Sequence, residues 1–159
     1  MILSDKIVVL KKLSLEDAES YYKIYSHPAI IMSYDESPFL KNETPAQFTE
    51  RIIRLCEYIF TIRPANQPHL IIGDCALHHW NKQQKSIEIG GSLFPDFWGK
   101  GYMKAAFELL IKFSKQQLAV KSIYGSTSAS NAKAIRLVQK MGFEKYQLNG
   151  PNIIMKKEI

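Results

Sequence analysis

The sequence predicts an α/β (α+β) domain: a mixed, mostly antiparallel central sheet with helices on both faces. Three observations carry this. The chain has 159 residues, which fits one domain over 1–159 and leaves no room for a second full one. Three successive strand signals between residues 58 and 93 are joined by links too short for parallel crossovers, so they form an antiparallel meander. After them, helical and extended patterns alternate, which calls for helices packed against a sheet.

Each element has a local reason. Ile7 to Leu10 is rich in β-branched residues and reads as a strand. Ser14 then caps a helix with Glu16 and Asp17 in its first turn, and Ala18, Tyr21, Tyr22 and Tyr25 as its buried side. His27-Pro28 ends it, because the residue before proline leaves α geometry. Thr44-Pro45-Ala46-Gln47 combines a cap, a proline at the first helical position and a capping-box glutamine, followed by the apolar stripe Phe48, Ile52, Leu55. The meander runs Tyr58 to Arg63, Leu70 to His79 and Lys85 to Leu93. Gly101 to Leu118 is a helix with Met103, Ala106, Leu109, Leu110 and Phe113 inward. A strand from Ser122 to Thr127 follows, then a helix capped by Ser130 and stopped by Gly142. Phe143 to Leu148 and Ile153 to Lys157 close the sheet around an Asn149-Gly150 turn.

Composition narrows the function classes. With 46% hydrophobic residues a sizeable core is available, and disorder and low-complexity architectures are excluded. The formal charge of +6 favours anionic partners, among them nucleic acid or a phosphorylated cofactor. The basic residues are scattered and no RNA-binding motif is evident, which disfavours nucleic acid. Cys56 and Cys75 form no CxxC and read as reduced core residues of a cytoplasmic protein. The run Ile7-Val8-Val9-Leu10 is too short for a signal peptide or a membrane span.

The most informative stretch is Leu93-Phe94-Pro95-Asp96-Phe97-Trp98-Gly99-Lys100-Gly101-Tyr102-Met103-Lys104. A strand ends, an aromatic loop follows, and two glycines open a long helix. The unpaired N–H groups and partial positive charge of a helix N-terminus, approached over glycine, can cradle a pyrophosphate. The plainer reading is a strand-to-helix turn that binds nothing. Phe94 and Gly101 rule out a P-loop, and Lys104 rules out the GxGxxG fingerprint.

Taken together, Glu88-Ile89-Gly90, then Trp98-Gly99-Lys100-Gly101-Tyr102, then Asn131-x-x-Ala134 with Lys140-Met141-Gly142-Phe143 resemble the GNAT N-acetyltransferase superfamily, in particular the branch of ribosomal-protein N-terminal and spermidine acetyltransferases. The resemblance covers nearly the whole chain and is strongest from Gly73 to Phe143. It implies a GNAT-like fold and acetyl-CoA as co-substrate, with no metal. It implies that main-chain N–H groups from Gly99, Lys100, Gly101, Tyr102, Met103 and Lys104 hold the pyrophosphate. Leu93 and Phe94 would pair with the pantetheine amides like an added strand, and Asn131 would contact the cofactor arm. Met103 stands where the family has a small residue, so its side chain must turn away. Trp98 is common at its position in this branch, with a hydrophobic plug under the turn as the structural alternative. Arg136, with Lys133 and Lys140, would reach the ribose phosphate or else form a solvated face.

Acetyl transfer to an amine needs a proton acceptor, an oxyanion donor and an acid for the leaving thiolate. Glu88 is the base candidate, since Gly90 and Ser92 share its side of the strand and leave room; the alternative is a solvated or lysine-paired carboxylate. The tyrosine that serves as acid in many superfamily members is replaced by Val138, leaving Ser126, Ser128 or Tyr146 as substitutes. His78 and His79 adjoin on a strand, so one should face each side; a metal site is not expected, and one of the pair could line the acceptor pocket. Tyr34-Asp35-Glu36, in the loop where this fold admits the acceptor, could attract a cationic amine. The expected function is N-acetyl transfer from acetyl-CoA to a primary amine, a protein N-terminus or a small amine, within a ternary complex, with a homodimer as the assembly to look for. The alternative is a non-catalytic acyl-CoA-binding module.

Overall fold

A computed structural model describes residues 1–32 and 37–159 of the chain. Tyr34-Asp35-Glu36 lies outside the described residues. The strands are β1 (Ile2–Ser4), β2 (Val8–Lys12), β3 (Tyr58–Pro64), β4 (Gly73–Asn81), β5 (Ser86–Leu93), β6 (Ser122–Ser128), β7 (Glu144–Asn149) and β8 (Asn152–Glu158). The helices are α1 (Ala18–Ser26), α2 (Pro28–Ile31), α3 (Pro45–Leu55), α4 (Tyr102–Gln117) and α5 (Ala132–Lys140), with 3-10 turns at Leu15–Asp17 and Pro95–Phe97.

The strands form one sheet in the order β1-β2-β3-β4-β5-β6-β8-β7. Every pair is antiparallel except β5 with β6, which α4 joins as a crossover. The mixed, mostly antiparallel sheet is therefore the one the sequence predicts. One face of the sheet packs against α4 and α5 through Leu10, Phe60, Leu77, Ile87, Leu110 and Ile123. On the other face α1 and α3 close a smaller core of Leu13, Tyr21, Ile24, Phe48, Ile59 and Ala76.

The caps explain most boundaries. Thr44 and Gln47 make the reciprocal capping box at the start of α3. Gly142 has φ +90 just past α5, where a residue with a Cβ would be strained. Asn131, not Ser130, is the N-cap of α5: its side-chain oxygen accepts from the Ala134 N–H at 3.2 Å, while the Ser130 hydroxyl lies 2.8 Å from that of Ser128. β1 escapes a sequence reading because it is three residues long and pairs only with β2. β4 begins at Gly73 because the preceding residues are still turning, the Leu70 N–H donating to the Gln67 carbonyl. The inward stripe of α4 is turned slightly from the expected one. Ala105, Ala106, Phe107, Leu110, Phe113 and Ser114 are buried, and Leu109 is only partly so.

Candidate functional site

The site is built around β5. The Phe94 N–H donates to the Ile72 carbonyl at 2.8 Å, which fixes the alternation along the strand. Ser92, Gly90 and Glu88 turn their main-chain groups toward β4, while Leu93, Gly91 and Ile89 turn theirs toward β6. A Cβ on Gly125 of β6 would stand 3.5 Å from the Ile89 oxygen, in keeping with that direction. β6 pairs with β5 only from Ser86–Ser122 to Glu88–Tyr124 and then follows β8. The two strands part, and the gap is a cavity of about 150 Å³ lined by Ile89, Gly90, Gly91, Ser126, Asn131 and Val138, among others. Leu93 and Gly91 thus direct main-chain groups into a gap in the middle of a sheet.

The N-terminus of α4 lies beside Gly91 of β5, which Met103 of its first turn approaches. Gly101 is the N-cap of α4 at φ +85, Gly99 lies at φ +73, and no atom of the described residues comes within 4 Å of a Cβ built on either. Among the described residues no side chain caps the helix. The first-turn N–H groups of Tyr102, Met103 and Lys104 therefore face outward at the positive end of the helix. The Met103 methyl would lie 3.1 Å from a Cβ on Gly91, so this side chain folds under β5 instead of over the turn. A glycine at 91 is also required by the Asp74 carbonyl, 2.5 Å from that Cβ position. The lysines contribute less than their number suggests, since Lys104 pairs with Glu108 at 3.0 Å and Lys100 lies 5.7 Å over the Phe97 ring.

Two expectations change here. Trp98 is not a plug under the turn: it is 45% exposed, and its indole N–H donates to the Leu93 carbonyl at 2.9 Å. Phe94 is not free to pair as an added strand, because its N–H is bonded to Ile72 and its carbonyl accepts from the Phe97 N–H. The strand-like edge consists of Gly91 and the Leu93 N–H. On the far wall, Asn131 spends its oxygen on its own cap and its amide nitrogen on Thr127, 3.3 Å away. Arg136 is exposed on α5. Ser126 lines the cavity; Ser128 does not, being held in the turn with Ser130. Tyr146 sits apart, its ring tilted 32° to that of Tyr124 with centroids 5.4 Å apart, beside a shallow hollow of about 590 Å³ on β7 and β8.

The face of β5 that carries Glu88 is the one α1 covers farther along. The expectation that His78 and His79 diverge is overturned. His79 has φ +53 and the β4–β5 register slips between His78 and Asn81, so neighbouring side chains that should alternate instead converge. The His78 Nε2 lies 3.2 Å from the Glu88 Oε2, and the His79 Nδ1 contacts the same oxygen. Hydrogen bonding to His78, then to His79, outweighs the desolvation that opposes it and holds the Glu88 carboxyl down at about 2.

Next to this group, the Tyr21 and Tyr25 hydroxyls both donate to the Asp74 Oδ2, at 2.8 and 2.7 Å, and the Ser92 N–H donates to its Oδ1 at 3.0 Å. Burial raises the Asp74 pKa despite these donors, and burial together with Asp74 pushes the Tyr21 phenol above its ordinary value. This carboxylate was not singled out by sequence, although an aspartate between Gly73 and Cys75 in an apolar strand was a signal. Burial pushes the Cys56 thiol up to about 11 and that of Cys75 well above its ordinary value, so neither is an activated nucleophile.

Residues 8–144 match the acetyltransferase (GNAT) domain family. An uncharacterized N-acetyltransferase, p20 of Bacillus licheniformis, is 25% identical over 145 residues, covering 87% of this chain and 79% of that protein. Spermidine N-acetyltransferase from Vibrio cholerae, solved in complex with CoA and spermine, superposes with a TM-score of 0.79 at 20% identity, covering 97% of this chain and 96% of that one. Ribosomal-protein-S5-alanine acetyltransferase from Vibrio fischeri gives 0.80 at 18% identity, covering 99% and 96%. Among the described residues, no helix is long and apolar enough to cross a membrane.

Proposed function

The chain belongs to the GNAT acetyltransferase family, and from that premise we propose that it moves an acetyl group from acetyl-CoA to a primary amine by direct transfer in a ternary complex. The observation that carries this is the gap between β5 and β6 together with the glycine-flanked N-terminus of α4, whose first turn reaches Gly91 in the gap wall. The residues fit the co-substrate. Main-chain N–H groups of residues 101–104 suit a pyrophosphate, the open space over Gly99 and Gly101 admits it, and the edge at Gly91 and Leu93 suits the pantetheine amides.

Bound acetyl-CoA supplies the acetyl group as a thioester; a C–N bond forms to the amine, the C–S bond breaks, and the thiolate takes up a proton. The remaining work is the chain's own. Glu88 stays ionised, and a carboxyl held down at about 2 is a weak base near neutrality. Its role is to orient the His78 imidazole, which accepts the amine proton on the face beside Gly90. Ser126, in the cavity wall, is the hydroxyl we assign to hydrogen-bond the leaving sulfur, whose proton comes from water. Tyr25 of α1, held by Asp74 and only partly buried, walls the acceptor side, while Tyr21 lies in the core behind it.

A panel assay of thiol release from acetyl-CoA tests this, with N-terminal peptides, polyamines and small amines as acceptors. Turnover on a primary amine is the expected result. Val138 in the cavity wall, where many superfamily members carry the acidic tyrosine, favours a second reading as a non-catalytic acyl-CoA-binding module. Tight CoA binding with no turnover on any amine would select it.

A further inference from the structure

The convergence of His78, His79 and Glu88 has a second chemical meaning. Consecutive strand residues normally point to opposite faces, and a non-glycine residue at φ +53 inside a strand is uncommon. Here it brings two imidazoles and a carboxylate from the adjacent strand together, each offering a ligand atom, with all these atoms within 4.8 Å of one another. The two rings stand 4.9 Å apart at 76°, so they approach the carboxylate from different directions.

We infer that His78, His79 and Glu88 form a binding site for one zinc ion. The donor set narrows the metal to a first-row divalent ion, of which we take zinc. Two imidazole nitrogens with one carboxylate oxygen suit zinc, whereas calcium and magnesium take oxygen ligands. Three protein ligands leave a fourth position open to water or a substrate group. The ion has a path in, since the His79 side chain is 77% exposed. Its occupancy would be regulatory: the ion takes up the lone pairs that orient and receive the amine proton, so acetyl transfer stops. That consequence rests on the function proposed above; the binding itself does not.

Calorimetric titration of the chelator-treated full chain with Zn²⁺ alone tests the site. One equivalent should bind. Partners in a metal's outer shell are already worth about 10–100-fold in affinity, so His78→Gln, His79→Asn and Glu88→Gln should each weaken binding at least about tenfold. Asn tolerates the left-handed backbone at 79 and keeps the variant folded, as circular dichroism would check. His69→Ala, in a loop away from the cluster, should bind like the wild type. The inference is overturned if no saturable equivalent binds, or if the three variants bind as the wild type does. One equivalent bound while turnover is undiminished would keep the site and remove His78 and Glu88 from the proton path. Binding intact with no amine acetylated would keep the site and remove the enzymatic reading.

Discussion

The Trp98 indole donates to the Leu93 carbonyl across 2.9 Å and ties the glycine turn to the end of β5. The bond fixes where the α4 N-terminus lies relative to the strand edge. Trp98→Phe keeps an aromatic ring and removes the donor. One such bond is worth about 1 kcal/mol net, or about fivefold in an equilibrium constant. The KM for acetyl-CoA should rise by about that factor with kcat nearly unchanged, as initial-rate kinetics would record.

Gly101→Ala separates backbone strain from ligand access. At φ +85 an alanine costs about 1–2 kcal/mol, which lowers Tm by roughly 2–4 °C per kcal/mol in a domain of this size. Gly99→Ala, at φ +73, should lose a similar amount. Only at 101 does the methyl sit at the helix cap, so CoA affinity measured by calorimetry should fall more for Gly101→Ala than for Gly99→Ala. Equal affinities would remove the pyrophosphate cradle from this turn.

Asp74→Ala removes the acceptor of the buried Tyr21 hydroxyl and of the Ser92 N–H. A buried group left without its partner costs about 1–3 kcal/mol, so urea unfolding should show a loss of about 3 kcal/mol or more, against about 1 kcal/mol for Tyr25→Phe. The pH dependence has a definite sign. Asp74 has its pKa raised from 3.8 by burial, so its native-state benefit is full below that value and declines as pH rises through the folded one. The stability of Asp74→Asn relative to the wild type should therefore increase from pH 4 upward.

Glu88→Gln keeps the shape and removes the charge that orients His78. General acid–base arrangements contribute about 10²–10⁴-fold, so kcat should drop at least about a hundredfold. The KM for acetyl-CoA should stay within about twofold, because the carboxylate lies on the acceptor face of β5. A matched loss of CoA affinity, measured without acceptor, would contradict this division of the strand.

Alkylation should leave activity intact. With its thiol pushed up to about 11, Cys56 is almost entirely protonated at neutral pH, and Cys75 is buried. Iodoacetamide labelling of Cys56, followed by mass spectrometry, should accelerate about tenfold per pH unit up to that value, since the thiolate is the nucleophile.

The sequence made the sheet legible because its local signals agreed with the fold. Thr44 and Gln47 formed their capping box, Gly99, Gly101 and Gly142 all needed positive φ, and the short links of the meander allowed no other pairing. The cleft could be anticipated from the motif order, but its edge could not. That Phe94 was already bonded depended on a register set by Ile72, 22 positions earlier in the chain. His78 and His79 were misread for a similar reason. Strand alternation is a rule about regular backbone, and one left-handed histidine with a register slip set it aside. Asp74 was missed because its partners, Tyr21 and Tyr25, come from a helix about fifty residues away.

The parting of β5 from β6 leaves the amides of Gly91 and Leu93 facing a gap instead of a neighbouring strand, in the centre of an otherwise paired sheet. Such amides report on occupancy. With water as their partner they should take up deuterium quickly, while those of Gly90 and Ser92 on the same strand stay protected by β4. A bound strand-like ligand would slow them by completing the ladder. Deuterium exchange at two alternate positions of one strand could therefore follow cofactor binding and release without any assay of the reaction.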